Sequence, residues 1–380
     1  MTVTRSFPPF DLARLLKTVF HPKAGERVAI LIDLDDPAAM AGHAYLKDSS
    51  LSVQRHAHAV FYKGLKQGGA AVLGLQGGDM FAYAKTGGSN LDLPDAAVNE
   101  HGDTVSLSRD VYPNYDIILC VSTYSATAPL TAFSKEYGFR GATLHGLNPI
   151  ILESGLSVDY DEVSAEAEKM RLGMTKADAV EIDFVVGTRA ATLRVELGRQ
   201  EAQKSHGLCR TAPDIANLPA GEVYFVPEGA EGSFPHKYED GTLAMMHVSG
   251  GGIKDIELLS GDHAVVDAHK AKIAFDPKAA DLGELGFGTQ VLPVSGRDIQ
   301  DEKIRGTFHL ATGRSDHLGG NITPDLFKNP LNASHDDILF SPTKTPEIQA
   351  PQVRLYRNGE TIVLLENYRE GPYLQKLLGV

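Results

Sequence analysis

Cysteine is scarce in this chain. Cys120 and Cys209 are the only two in 380 residues, far apart and each set in an apolar or mixed stretch. That excludes a disulfide framework and a cysteine-based zinc site, and it fits a reducing compartment. Clustered positive charge is missing too. The formal charge is −13 and no run of Lys or Arg occurs, so neither nucleic acid nor an anionic membrane surface is an expected partner. No apolar run approaches membrane-spanning length, and Met1 to Phe20 carries Pro8, Pro9, Asp11, Arg14 and Lys17 where a signal peptide would be apolar. The cytoplasm is the expected location. There is no internal repeat and no low-complexity tract.

What is present is the balance of a globular protein, with 42% hydrophobic and 22% charged residues. A single core stops growing near 250 to 300 residues, so two domains are expected. Residues 1–175 alternate short β-type runs with helical patterns, which predicts an α/β domain with a largely parallel sheet. Strands are expected at Arg27 to Leu34, Ala70 to Leu75 and Tyr115 to Ser122, and helices at Leu51 to Gln67 and Asp159 to Leu172. Acids at the start of the last helix suit its dipole. From Ala179 onward β-type runs separated by Gly, Pro and Asp predict a mainly antiparallel, β-rich domain over 176–380. Gln352 to Leu365 reads as a hairpin turning at Asn358-Gly359. Leu91 to Asp103 and Asn329 to Pro351 read as the flexible stretches.

Four clusters in the β-rich half carry metal-ligand chemistry. In NLPAGEVYFVPEG a Pro-Ala-Gly turn delivers Glu222 to the start of a strand. In DLGELGFGTQ, Glu284 lies among Leu282, Leu285 and Phe287; an acid in such apolar company needs a hydrogen bond, an ion pair or a metal, because burying it unpaired costs about several kcal/mol. DEKIRGTFHLATG offers His309 between Phe308 and Leu310, and NASHDDILF places His335 and Asp337 two apart, on one face of a strand. Alone, each is ordinary: an acid at a strand's start is usually solvated, and a histidine in apolar company is usually a satisfied core residue. Together they supply enough O and N donors for two divalent ions with open positions, which suits hydrolysis.

In their order, GEVYFVP, GELGFGTQ, DEK with GTFHLATG, and the later His-x-Asp resemble the signatures of the M29 metalloaminopeptidases. The resemblance is clear over roughly the last 200 residues. It implies an aminopeptidase that removes N-terminal residues from short peptides, a homodimer, and two divalent ions (zinc, cobalt or manganese) held by Glu222, Glu284, His309, His335 and Asp337. It departs at one position. Where the family pattern H-x-A-x-G-x-x-Y ends in a ligand Tyr, this chain has Asp316, followed by His317, and either would ligate in its place. The resemblance also implies that a further acid, Glu222 or Glu302, shuttles the proton to the leaving amine. Divergent members of the same fold family resemble iron-dependent ring-cleaving dioxygenases of dihydroxypyridines. For these a single Fe(II) on His309, His335 and Asp337 would suffice. A metal-binding homologue without turnover is the third alternative.

Overall fold

The computed structural model describes residues 5–68 and 71–380. The chain divides into two compact units, each discontinuous: Met1–Ser164 with His206–Ala220 and Leu292–Gln300, and Ala165–Ser205 with Gly221–Val291 and Asp301–Val380.

The first unit is built on a seven-stranded sheet. Its order is Ile215–Asn217, Arg140–Thr143, Ile117–Cys120, Arg27–Leu34, Gln76–Ala84, Ala96–Asn99 and Thr104–Ser106. The first five strands are parallel and the last two antiparallel. Arg27–Leu34 is the central strand and is buried at every position after its first, the continuous apolar signature of a strand covered on both faces. Its one acid, Asp33, is buried and satisfied, accepting hydrogen bonds from Gln54 Nε2 at 2.6 Å and from the Thr123 backbone N–H at 2.9 Å.

Several sequence expectations shift here. Of the strand expected at Ala70 to Leu75, Ala70 lies outside the described residues and Ala71–Leu73 forms a 3₁₀ turn; the strand is Gln76–Ala84. Its glycine-rich start has little β-propensity, so the apolar AVLGL run before it drew the reading forward. The helix expected at Leu51 to Gln67 spans Ser52–Lys66 with a π-helical stretch at Ala57–Tyr62. Leu91 to Asp103, expected to be flexible, contains the strand Ala96–Asn99 and buries Leu91 and Leu93.

In the second unit two antiparallel sheets face one core. The nine-stranded sheet runs in the order Gly252–Ser260, Leu243–Ser249, Gly229–Lys237, Arg189–Glu196, Ala179–Val186, Gln352–Arg357, Glu360–Glu366 and Arg369–Glu370, with Ile348–Gln349 also paired to Ala179–Val186. The hairpin turns at Asn358-Gly359 with φ of 54° and 79°, as a two-residue turn with both central residues left-handed requires. The five-stranded sheet runs His335–Phe340, Phe308–Gly313, Leu282–Gly288, Glu222–Phe225 and Gln203–Ser205. The core between the sheets is rich in phenylalanine. Phe184 of the larger sheet meets Phe340 of the smaller at 5.0 Å between ring centroids, and Phe340 stacks on Phe308 at 5.1 Å. Asn329 to Pro351, expected to be flexible, contains the edge strand His335–Phe340 and the short strand Ile348–Gln349. Among the described residues no helix is long and apolar enough to cross a membrane.

Candidate metal centre

The five-stranded sheet has one face in the phenylalanine core and one face lined with donors, and the strand period of two decides which residue goes where. Val223, Phe225, Leu285, Phe287, Phe308, Leu310, Ile338 and Phe340 point into the core. Cross-strand pairing aligns the alternate positions. Glu222 lies opposite Gly288, Gly286 opposite His309, Glu284 beside Ala311, Ala311 opposite Asp337, and Gly313 opposite His335. Glu222, Glu284, His309, His335 and Asp337 therefore share one face, with small residues between them.

The small residues make room. A Cβ on Gly286 would sit 2.1 Å from Cε1 of His309, so the imidazole lies directly on the glycine backbone. A Cβ on Gly288 would sit 2.1 Å from the Ile304 carbonyl oxygen and 2.7 Å from that of Glu302. The loop carrying Glu302 and Lys303 thus lies against that glycine. Thr307 Oγ1 ties the loop down by donating its hydrogen to the Ile304 carbonyl at 2.7 Å.

These donors form two groups that share Glu284: Glu222 with Glu284 and His309, and Glu284 with His335 and Asp337. Within each group the ligand atoms lie within 4.8 Å of one another. Glu284 serves the groups with different oxygens, Oε1 lying 3.5 Å from His309 Nε2 and Oε2 3.0 Å from His335 Nε2. Asp337 Oδ1 is 3.3 Å from the same His335 nitrogen. The Asp337 side chain retains 31% exposure against 6% for that of Glu284, so the site opens at Asp337.

Two features show that the set fits a cation. His335 Nδ1–H donates to the Arg314 carbonyl at 2.6 Å, which turns Nε2 toward both carboxylates; this is how metal-binding imidazoles are oriented. Oε2 of Glu222, which faces His309 Nε2 at 3.8 Å, is buried without a hydrogen-bond partner, with the Lys303 ammonium 2.7 Å away as its ion-pair neighbour. Electrostatics agree. Burial disfavours a charged imidazole, yet hydrogen bonding and charge from Glu284 lift His309 to about 10, and Asp337 with Glu284 lifts His335 well above its ordinary value. Burial likewise opposes ionisation of Glu284 and Asp337, but the histidines hold both below the usual carboxylate range. The face demands positive charge.

Asp316 joins neither group. Arg314 Nε donates to its Oδ1 at 2.7 Å, and it serves as counter-charge to that buried guanidinium. His317 stands edge-on to His335, with centroids 5.0 Å apart, and burial lowers its basicity. Glu302 is buried beside the cluster, and burial raises its carboxyl to about 7.

Two residues of the site were passed over in the sequence. Lys303 is 1% exposed at its side chain, with Nζ 2.7 Å from Glu222 Oε2 and 2.5 Å from Glu302 Oε1. Burial would discharge it, but the two carboxylates more than offset this and raise its pKa. The signal was in DEK itself, a lysine next to an acid in a segment leading straight into a buried strand. Tyr224 occupies the donor face beside Glu222, and its phenol is raised by burial and by the nearby Glu284 and Glu222.

No protein-family model matches the chain, and no curated protein matches it by sequence. Among solved structures it is similar to the 2,5-dihydroxypyridine dioxygenase of Pseudomonas putida KT2440, with a TM-score of 0.61 and 13% identity over 95% of this chain and 97% of that one. It is also matched to wild-type AmpT of Thermus thermophilus, with a TM-score of 0.48 and 13% identity over 94% and 98% of the two chains. The first likeness establishes a common fold and nothing about chemistry; the second is too loose to bear on either.

Proposed function

We propose that the chain is a metal-dependent aminopeptidase acting on short peptides. The observation that carries this reading is Glu284, whose two oxygens each face a different histidine within one buried donor face. Glu284, His335 and Asp337 would hold the ion, with His309 and Glu222 completing the face. A divalent ion there supplies Lewis acidity, making water a nucleophile near neutral pH and polarising a carbonyl.

The chain's own residues do the rest. Asp337, the open member, borders the place where a substrate would enter. Glu302, raised to about 7 by burial, is suited to take a proton from the attacking water and return it to the leaving amine, since such exchange works best near the operating pH. The glycines beneath the site and the tied-down 301–307 loop pack the donors closely against the sheet.

A second reading is an iron-dependent ring-cleaving dioxygenase. It is favoured by the pairing of Glu222 with Lys303, which takes one carboxylate out of the donor face; such a site would draw His309, from the neighbouring group, together with His335 and Asp337. The experiment is a substrate panel on metal-loaded protein, followed by mass spectrometry and an oxygen electrode. Release of the first residue from free tripeptides, but not from their N-acetylated forms, is the expected result. Oxygen uptake with 2,5-dihydroxypyridine and no peptide cleavage would replace the first reading with the second.

A further inference from the structure

The resemblance of the motifs implies two divalent ions. We infer instead that the centre takes one ion, and that the Lys303 ammonium stands where the charge of a second would be needed. This rests on the metal-dependent reading above and narrows it.

The decisive contact is atomic. Of the two Glu222 oxygens, Oε2 is the one facing His309, with Nε2 at 3.8 Å. Lys303 Nζ lies 2.7 Å from that same oxygen. An ion in the Glu222, Glu284 and His309 group that used this oxygen would sit beside an ammonium 2.7 Å from it, an ion pair that is out of line for a hydrogen bond. Two cations sharing one carboxylate oxygen in a site closed to water repel strongly.

The lysine has nowhere else to go. Its side chain is 1% exposed, and a buried ammonium must stay paired. Its backbone is fixed: the Gln290 N–H donates to the Lys303 carbonyl at 2.9 Å, and Thr307 Oγ1 donates to the carbonyl of the next residue, Ile304, at 2.7 Å. On its other side Nζ meets Glu302 Oε1 at 2.5 Å. The ammonium is thus a built-in cation shared by two carboxylates, and it leaves Glu222 as its partner rather than as a metal ligand.

The other group is different. Glu284 Oε2, His335 Nε2 and Asp337 Oδ1 converge within 3.0 and 3.3 Å, and His335 is oriented from behind by the Arg314 carbonyl. These three residues are assigned to the single ion.

The test is metal stoichiometry, with Zn(II) titrated into metal-stripped full-length protein by calorimetry and the loaded protein assayed for bound zinc after desalting. Wild type is expected to bind one equivalent, and K303M, which frees Glu222, two. E222Q, which keeps the rest of the cluster and covers the case in which K303M fails to fold, is expected to remain at one. Two equivalents in the wild type, one in folded K303M, or loss of zinc from E222Q would each overturn the inference while leaving a metal centre in place. No zinc bound by the wild type would overturn the inference and the metal-dependent reading together.

Discussion

The tautomer of His335 is set from behind. Its Nδ1–H is committed to a backbone carbonyl, so only Nε2 is available to the carboxylates in front. Removing the ring should therefore cost more than one donor, because Glu284 Oε2 and Asp337 would lose the imidazole between them, leaving only His309 on the other oxygen of Glu284. Even outer partners of metal ligands are worth about 10–100-fold in affinity, so H335A should weaken zinc binding by more than about 100-fold, read by competition with a chromophoric chelator. Binding within tenfold of wild type would remove His335 from the centre.

At this scale the sequence was informative where residue type and alternation agreed: a Glu among leucines and a His-x-Asp in a strand both sit on the donor face. Lys303 was missed because a lysine is presumed to be at the surface unless a partner is visible, and one of its partners, Glu222, lies 81 residues upstream.

Among the elements, the strand Leu282–Gly288 does the most to shape the centre. It is buried throughout, with Glu284, Gly286 and Gly288 on the donor face. G286A places a methyl group 2.1 Å from the His309 ring, so the ring must shift. Overpacking of this kind costs about 1–3 kcal/mol, and G286A is expected to lose that much in urea unfolding and to bind zinc more weakly. Unchanged stability and affinity would show that the ring does not rest there.

A second element-scale prediction concerns acid. His269, on the helix His263–Phe275, has Nδ1 2.8 Å from the Tyr238 hydroxyl, and burial lowers its pKa to about 4. His236, on the neighbouring strand, is lowered by burial to about 3. Both are lower in the folded chain than the ordinary value of 6.5, so the unfolded chain takes up protons first. Stability is complete above 6.5 and falls as the pH drops toward about 4 for His269 and about 3 for His236. H269Q should lose less stability than wild type between pH 7 and pH 4.5 in parallel urea melts, and equal losses would remove His269 from the account.

Across the whole molecule, the sequence foretold a parallel α/β portion and an antiparallel β-rich portion, because each leaves a local mark: continuous apolar strands between helices in one, and alternating strands with tight turns in the other. It did not foretell that Ile215–Asn217 joins the parallel sheet at its edge, since three residues are too few to carry a pattern and parallel pairing is non-local. Nor could motif order distinguish one ion from two. That depends on which oxygen of Glu222 faces His309 and what else touches it.

The most direct measurement is a crystal of the full-length protein loaded with Zn(II), with data recorded on both sides of the zinc absorption edge. One anomalous peak is expected, in contact with Glu284, His335 and Asp337, with Lys303 still between Glu222 and Glu302. A peak elsewhere, or none at the donor face of the five-stranded sheet, would contradict it.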